Sequence, residues 1–216
     1  MSEKLVVIGT GGLGREVMHL IYDFNKETAI YNVLGFIDGD SFCMGKLVEG
    51  YPVLGTDDWL LQCGEEMNVV IAIGSGKTRN LVYNKISSNK NLKFPVILAK
   101  SAVLPETVKL GQGCIVLQSC VFSPNTILGD FSVINPACTI AHDVTINDYV
   151  TISPGVNIAG NVIIGDNVSI GIGACIIQGI NIGQNTVIGA GAAVVRDIPA
   201  DCTAVGVPAK PIKYAN

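Results

Sequence analysis

The chain has 216 residues, a net charge of -4, and 49% hydrophobic against 15% charged residues. This composition predicts a folded protein with a sizeable core, and the weak negative charge argues against nucleic-acid binding. No apolar run approaches the roughly 20 residues that a membrane-spanning helix needs. Seven cysteines with no CxxC pair, in a chain without a recognisable signal peptide, predict reduced thiols in a cytoplasmic protein.

The first part of the chain is predicted to form a small parallel α/β domain. A strand at residues 5–8 leads through a glycine-rich loop into a helix at 15–24. Further strands are predicted at 33–37 and 69–73. Strands that alternate with helices and end in glycine-rich turns are typical of a Rossmann-like sheet. We therefore predict one domain over residues 1–95.

The loop after the first strand carries a phosphate-binding pattern. It reads Gly9-Thr10-Gly11-Gly12-Leu13-Gly14, a match to G-x-G-x-x-G, and Asp38 ends the second strand. Such glycines let backbone N–H groups approach phosphate, and the acid can accept a ribose hydroxyl. Fewer than a hundred residues leave no room for the second half of an NAD-binding domain. The pattern favours a nucleotide or nucleotide-linked ligand, and a merely tight strand-to-helix turn remains the alternative.

A six-residue repeat fills the second part of the chain. Counting by six gives sixteen consecutive large apolar anchors: Leu104, Leu110, Val116, Phe122, Leu128, Ile134, Ile140, Ile146, Ile152, Ile158, Ile164, Ile170, Ile176, Ile182, Ile188 and Val194. The residue two positions earlier is usually small or β-branched, and Gly or Asn recurs three positions later, where a corner favours positive φ. Three hexads close a triangular coil, so we predict a parallel β-helix over residues 96–216, with coils ~4.8 Å apart.

Histidine chemistry is restricted to His19 and His142. His142 stands two residues after anchor Ile140, at a corner, so its side chain is predicted to project outward. An imidazole there can accept a proton near neutral pH. His19 is predicted to be a surface or packing residue in the first helix. Zinc chemistry of the γ-type carbonic anhydrase kind needs three histidines near one site, so no metal is expected.

The whole chain resembles the nucleotide-amino-sugar N-acetyltransferases of the bacillosamine pathway and the related sialic acid O-acetyltransferases. The resemblance is carried by residues 9–14, 36–38, 71–74, 140–143, 159–161 and the closing run 205–210. It implies a left-handed β-helix, acetyl-CoA as co-substrate, and a homotrimer with active sites between chains. It also implies N-acetylation of the 4-amino group of a UDP-linked 4-amino-4,6-dideoxy-N-acetylhexosamine. O-acetylation of a sugar such as sialic acid, and a non-catalytic nucleotide-sugar-binding scaffold, remain the alternatives.

The resemblance implies residue roles as well. His142 would be the general base, oriented by a carboxylate. Asp143 is the nearest acid in sequence, but neighbours on a strand usually face apart, so an acid from elsewhere remains open. The implied acetyl-CoA positions are Gly160, whose N–H would contact the thioester carbonyl, and Thr151, Ile172, Ala190 and Lys210. The implied sugar-nucleotide positions are Gly11, Gly12, Leu13, Asp38, Gly39, Gly74 and Asn135.

Two positions depart from the family pattern. Some relatives carry an acidic residue just before the catalytic histidine, where this chain has Ala141. Some also carry a second histidine nine residues after it, where this chain has Thr151. That second histidine helps to hold acetyl-CoA in those relatives, so the details of donor binding are expected to differ here.

Overall fold

The computed structural model describes residues 2–215, and the chain separates into two compact units. The first comprises the residues up to Gly74 together with Thr78–Ile97. The second comprises Ser75–Lys77 and the chain from Leu98 onward. The binding roles expected of residues 1–95 and 96–216 stay predictions. Across residues 2–215, no helix is both long and apolar enough to cross a membrane.

The amino-terminal elements alternate between strands and helices. In chain order they are β1 (Glu3–Ile8), α1 (Gly12–Glu27), β2 (Tyr31–Ile37), a 3₁₀ turn (Ser41–Cys43), β3 (Leu47–Val48), β4 (Tyr51–Gly55), α2 (Asp57–Leu61), β5 (Met67–Ile71), α3 (Gly76–Ile86) and β6 (Leu92–Lys93). The sheet order is β3-β4-β2-β1-β5-β6. The β3–β4 pair is antiparallel, and the other neighbours run parallel.

The centre of this sheet is buried and contains a switch point. From β1 the chain crosses through α1 to β2 on one side, and it later returns to β5 on the other side. Residues 5–8 of β1 and all of β5 are buried, as expected for central parallel strands covered on both faces. Ligands of open parallel sheets bind beyond the carboxyl ends of the strands at such a switch point. A site is therefore expected where β1 and β5 end.

The elements predicted for this part of the chain are present, with shifted ends. Helix α1 begins inside the glycine loop, at Gly12 rather than at residue 15. Strand β5 ends at Ile71, so the predicted extension to residue 73 is wrong. Ala72 and Ile73 line a cavity beyond the strand, and a count of apolar residues cannot distinguish this position from strand. The segment β3–β4–α2 was not predicted, since its short elements show no clear period.

The remainder of the chain forms three sheets, which are parallel except for the antiparallel pairing of the last two strands. Its strands are β7 (Ile97–Leu98), β8 (Lys109–Leu110), β9 (Ile115–Val116), β10 (Val121–Phe122), β11 (Ile127–Leu128), β12 (Val133–Ile134), β13 (Thr139–Ile140), β14 (Thr145–Ile146), β15 (Thr151–Ile152), β16 (Asn157–Ile158), β17 (Ile163–Ile164), β18 (Ser169–Ile170), β19 (Cys175–Ile176), β20 (Asn181–Ile182), β21 (Val187–Ile188), β22 (Ala193–Val194), β23 (Cys202–Val205) and β24 (Lys210–Tyr214). The sheet orders are β10-β13-β16-β19-β22, β20-β17-β14-β11-β8 and β24-β23-β21-β18-β15-β12-β9-β7. Strands taken in turn from β8 to β22 thus belong to successive sheets, which is the topology of a three-sided β-helix.

The register of these sheets is eighteen residues as far as β22, and the pairing of β21 with β23 spans sixteen. Ile140, for example, pairs with Ile158, and Ile158 pairs with Ile176. The anchors from Val116 to Val194 are at most 3% exposed, as the hexad count predicts. The first two anchors, at 104 and 110, are half-buried because they lie at the open end of the coil stack. Stacked apolar anchors therefore form the core of this unit.

The corners of the coil share one backbone conformation. At every third residue after an anchor, from Gly113 to Gly191, φ lies between 54° and 75°. Gly and Asn favour this left-handed region, but Ser119, Phe131, Ala137, Asp143 and Tyr149 adopt it too. Closure of the coil therefore imposes the left-handed conformation, and the residue type only modulates its cost.

Candidate active site

The glycine loop between β1 and α1 is shaped by two contacts. Gly9 has a φ of 103°, and a Cβ there would lie 2.9 Å from the carbonyl oxygen of Ala72. A Cβ on Gly14 would overlap the carbonyl oxygen of Gly9, so α1 can approach β1 closely only with glycine there. These two glycines are therefore required by the fold itself.

Gly11 and Gly12 have a different explanation. A Cβ on either would meet no atom within 4 Å, so the packing of the chain does not require glycine at these positions. Gly11 is the N-cap of α1, and no side chain caps the first turn of the helix. The unpaired N–H groups and the helix dipole make such a terminus a site for phosphate. This end of α1 can thus receive a phosphate close to the backbone.

Asp38, at the end of β2, fastens the glycine loop. Its Oδ2 accepts hydrogen bonds from the Thr10 hydroxyl at 2.6 Å and the Thr10 N–H at 3.0 Å. Its Oδ1 accepts from the Asp40 N–H at 3.0 Å. Partial burial raises the pKa of Asp38, but the bonds from Thr10 and Asp40 outweigh this and leave the pKa below its ordinary value. Asp38 therefore stabilises the conformation of the glycine loop, independently of any ligand.

A cavity of about 550 Å³ opens at the carboxyl ends of β1, β2 and β5. Its lining includes six of the predicted sugar-nucleotide positions, namely Gly11, Gly12, Leu13, Asp38, Gly39 and Gly74. The far wall is held by Arg79, which is 1% exposed and donates to the carbonyl oxygens of Ile73 and Gly74 at 2.7 and 3.1 Å. The cavity has the size of a small-ligand site and lies at the switch point of the sheet.

His142 lies at a corner of the β-helix and contacts its neighbour in sequence. Its Nδ1 is 2.8 Å from Oδ2 of Asp143, and the two side chains are 54% and 45% exposed. The φ of 59° at Asp143 turns the two side chains toward each other, which strand geometry would prevent. A neutral imidazole that donates from Nδ1 to this carboxylate keeps the lone pair of Nε2 for a proton.

A second side chain holds Asp143 from the other direction. Asn125 Nδ2 donates to Oδ1 of Asp143 at 3.0 Å. This bond, followed by the contact with His142, lowers the pKa of Asp143 below its ordinary value. The carboxylate therefore remains ionised beside the imidazole throughout the neutral range.

The imidazole of His142 rests on the next coil. A Cβ on Gly160 would lie 2.6 Å from Cε1 and 2.8 Å from Nε2 of His142. No real Cβ approaches so closely, so only glycine lets the ring occupy this place. The N–H of Gly160 also meets no acceptor among residues 2–215. The corner thus combines an imidazole of defined orientation with a backbone donor.

Two families match the parts of the chain that contain these sites. The PglD N-terminal domain matches residues 4–86, and the bacterial transferase hexapeptide (six repeats) matches residues 125–160. Solved structures match nearly the full length. The acetyltransferase domain of PglB from Neisseria gonorrhoeae is 32% identical and covers 98% of this chain and 100% of its own, with a TM-score of 0.88. The chain belongs to the PglD-type sugar acetyltransferases.

Two other PglD-type structures give the same picture. A perosamine N-acetyltransferase from Caulobacter crescentus is 29% identical over 97% of both chains, with a TM-score of 0.89. WeeI from Acinetobacter baumannii AYE is 29% identical over 98% of this chain and 100% of its own, with a TM-score of 0.87. No curated protein sequence matches the chain. The predicted family, the fold class of a Rossmann-like α/β domain followed by a left-handed β-helix, and the acetyltransferase class are confirmed.

The solved relatives also hold the expected kinds of ligand. The gonococcal domain was crystallised with acetyl coenzyme A. The perosamine N-acetyltransferase, as a histidine mutant, was crystallised with CoA and GDP-perosamine. The expectation of acetyl-CoA as co-substrate agrees with both structures.

The remaining predicted positions of this PglD-type enzyme occupy other parts of the β-helix. Ile172 and Ala190 are exposed and stacked one coil apart. They lie at the corner that comes before the sheet of β13, β19 and β22, whereas His142 lies at the corner after that sheet. Asn135 is on the same column of corners as Ile172, and its Nδ2 donates to the carbonyl oxygen of Ile152 at 2.7 Å. Thr151 is on β15, one side away, and Lys210 is exposed at the start of β24. The structure thus brings His142, Asp143 and Gly160 together and leaves the other five apart from them.

Three residues of these sites were missed in the sequence. Thr10 and Asp40 hold Asp38, and Asn125 holds Asp143. A signal for Asn125 was present, since it precedes Asp143 by eighteen residues, the length of one coil. Thr10 and Asp40 gave no comparable signal, because their contacts depend on how the loop folds over β2.

Proposed function

We propose that this enzyme transfers the acetyl group of acetyl-CoA to the 4-amino group of a nucleotide-linked amino sugar, with His142 as general base. The observation that carries the proposal is the imidazole of His142, held by Asp143 on one ring nitrogen and resting on Gly160. The cavity at the end of α1 is the companion site, and we assign it to the sugar nucleotide.

The His142 corner supplies what a direct transfer requires. As the amine nitrogen forms its bond to the thioester carbon, Nε2 of His142 accepts the amine proton. Asp143 stabilises the resulting imidazolium. The C–S bond then breaks, and the proton passes from His142 to the departing CoA thiolate. No covalent enzyme intermediate is needed, because both substrates are bound together.

Gly160 is proposed to stabilise the charge that develops on the thioester oxygen. Its N–H has no acceptor within the described part of the chain, so it is available to a substrate oxygen. A backbone donor of this kind loses no side-chain freedom when it binds, which makes it effective in the transition state. Gly160 would therefore act twice, as the support of the imidazole and as a donor.

The donor arm is proposed to follow the corner of Ile172 and Ala190. Ile172 is 62% exposed and offers an apolar surface to a pantetheine chain. Thr151 and Lys210 are assigned to acetyl-CoA by resemblance alone, Lys210 as a contact for a CoA phosphate. Thr151 replaces a histidine of some relatives, so donor affinity is expected to rely more on the backbone here.

The sugar nucleotide is proposed to place a phosphate at the N-terminus of α1. Gly11 and Gly12 leave open space there, and Gly39 and Gly74 form parts of the surrounding wall. Asp38 already accepts three hydrogen bonds, so it has little free capacity for a ribose hydroxyl. We propose that Asp38 acts mainly by shaping the loop, with Leu13 packing beside the ligand and Asn135 facing the sugar.

The acceptor class is supported by the relatives and by the base. The Caulobacter relative is named for perosamine and holds its GDP derivative. Transfer to an amine demands less of a single histidine than transfer to a hydroxyl, which places O-acetylation of a sialic-acid-type sugar second. UDP as the nucleotide and the bacillosamine pathway remain our prediction by resemblance, as do a homotrimer with active sites between chains and a cytoplasmic location.

A panel of acceptors tests the proposal. Release of CoA thiol would be followed with UDP-, dTDP- and GDP-linked 4-amino-4,6-dideoxy sugars and with free sialic acid. We expect turnover with at least one nucleotide amino sugar and none with sialic acid. Turnover with sialic acid alone would favour O-acetylation, and binding without any turnover would favour the scaffold. Light scattering on the same sample distinguishes a trimer from a monomer.

A further inference from the structure

Asn125 has no role in the reaction described so far, yet it is linked to His142, the proposed base, by the carboxylate of Asp143. Its Nδ2 lies 3.0 Å from Oδ1 of Asp143, and Oδ2 of Asp143 lies 2.8 Å from Nδ1 of His142. Each oxygen of the carboxylate thus has its own partner. We propose that Asn125 is a positioning residue that fixes Asp143 and, through it, the tautomer and orientation of His142. This inference rests on the proposed function of His142.

The carboxylate needs such support because it is exposed. Asp143 and His142 are about half exposed, and a solvated pair of this kind gains little from proximity alone. Without a second partner, Asp143 could rotate into water and release Nδ1. An amide that can only donate from Nδ2 selects the rotamer in which Oδ2 faces the imidazole.

Asn125 is itself held in place. Its N–H donates to Oγ1 of Thr107 at 3.0 Å, and its φ of 64° matches the φ of the stacked corner residue Asp143. Thr107, Asn125 and Asp143 are spaced by eighteen residues, so the stacked coils set their separation. The imidazole is then held by Asp143, its neighbour in the same coil, and rests on Gly160 of the next coil. Three successive coils thus each contribute one residue to its placement, namely Asn125, His142 and Gly160.

The chain contains a matched control for this arrangement. Asn185 also occupies a left-handed corner, with a φ of 56°, and its Nδ2 donates to Oδ1 of Asp201 at 2.8 Å. It belongs to another column of corners, without His142. Glycine is accepted in the Asn125 column, at Gly179, and aspartate at Asp143. Substitution of either asparagine by Gly therefore preserves the corner and removes the hydrogen bond, whereas Asp preserves the corner but also places a second negative charge beside the partner carboxylate.

The kinetic test compares these variants in the full-length enzyme. We expect Asn125→Gly to lower kcat roughly threefold to tenfold, as for loss of one hydrogen bond to a charged group. Asn125→Asp should lower kcat at least as much, because its carboxylate also repels Asp143. Both KM values should stay within about twofold, because neither substrate is touched. Asn185→Gly and Asn185→Asp should leave kcat unchanged. Equal kcat values for the Asn125 and Asn185 variants would overturn the proposal.

A double-mutant cycle separates positioning from general damage. In an Asp143→Ala background, Asn125→Gly should have no further effect on kcat, since its route to His142 has been removed. An effect that persists undiminished in that background would show that Asn125 acts independently of Asp143, contrary to the proposal.

A spectroscopic measurement makes the test independent of turnover. In a His19→Asn background, His142 is the one remaining histidine of the sequence, and its ¹⁵N shifts report the tautomer of the neutral ring. We expect protonated Nδ1 in the parent and a mixture of tautomers after Asn125→Gly, but not after Asn185→Gly. An unchanged tautomer would refute the positioning role even if the enzyme had proved to use another substrate.

Discussion

The two candidate sites are built in opposite ways. The cavity at the end of β1 is formed by backbone: glycines that permit close approach, an uncapped helix terminus, and Asp38 fastening the loop. The His142 corner is formed by side chains that stand in register because the coils stack. The first arrangement suits a phosphate, which backbone N–H groups can bind whatever sugar is attached to it. The second suits a proton transfer, which needs one atom in one place.

The largest expected effect comes from the corner, where the proposed general base is a single side chain. His142→Ala should lower kcat by about 10²- to 10⁴-fold, the usual contribution of a general base. Stability should hardly change, because the ring is half exposed. Stopped assays of CoA-thiol release measure the loss, with His19→Ala as the control. A variant that kept a tenth of the parental kcat would rule out His142 as the base.

Substitution of Gly160 tests whether the placement of the His142 ring depends on the absence of a Cβ at residue 160. Gly160→Ala places a Cβ where the imidazole lies, and the exposed ring can move away. We expect kcat to fall about tenfold to a hundredfold, as expected for a misplaced reactive group, while the thermal midpoint is nearly unchanged. Gly64→Ala, which enters open space, is the control. If both variants turned over alike, the support assigned to Gly160 would be wrong.

Substitutions in the glycine loop should separate effects on stability from effects on ligand binding. Gly14→Ala forces a Cβ into the Gly9 carbonyl, and we expect a loss of about 1–3 kcal/mol in the free energy of unfolding. Gly12→Ala meets open space, so stability should hold while KM for the sugar nucleotide rises severalfold. Urea unfolding and steady-state kinetics measure the two quantities. A Gly12→Ala enzyme with unaltered KM would argue against a phosphate at this terminus.

Asp38 should give the smallest effect, and one that depends on pH. Asp38→Asn removes a charged acceptor and should cost about 1–2 kcal/mol at pH 7. The pKa of Asp38 is lowered in the folded state, so its contribution is present above the unfolded pKa of about 3.9. It is lost as the pH falls through the folded pKa. The free energies of unfolding of parent and variant should therefore converge as the pH falls below about 4. A difference in the free energy of unfolding that did not change with pH would contradict a stabilising role of the Asp38 carboxylate.

The sequence predicted the β-helix closely because nothing interrupts its count. A repeat of six places every anchor inward, and fourteen of the sixteen anchors are buried in the structure. The same count placed His142 at a corner and Gly160 beside it. The pairing of His142 with Asp143 remained open because the rule that neighbours face apart applies to strands, whereas Asp143 adopts a left-handed corner conformation.

The amino-terminal site was less predictable for a physical reason. Its motif indicated a phosphate loop, but which glycines the fold requires depends on how the loop folds. A Cβ on Gly9 would meet the carbonyl oxygen of Ala72, just beyond β5, and a Cβ on Gly14 would meet the carbonyl oxygen of Gly9. Asp38 was expected to meet a ribose, and its bonds to Thr10 and Asp40 became visible only with the folded loop. Patterns of residue type reveal contacts that recur at a fixed spacing, and this loop has no such spacing.

The eighteen-residue register makes the length of the β-helix adjustable only in whole turns. Removal or addition of eighteen residues away from the corner would shorten or lengthen the stack and return each later side chain to its column. A change of six would keep every anchor inward and every strand intact, but it would carry later residues to the next side of the triangle. Placed between Asp143 and Gly160, such a change would leave a well-packed protein whose histidine faces a different residue. The length of the β-helix can therefore change in steps of eighteen residues without altering the His142 corner, whereas a step of six within the corner alters it.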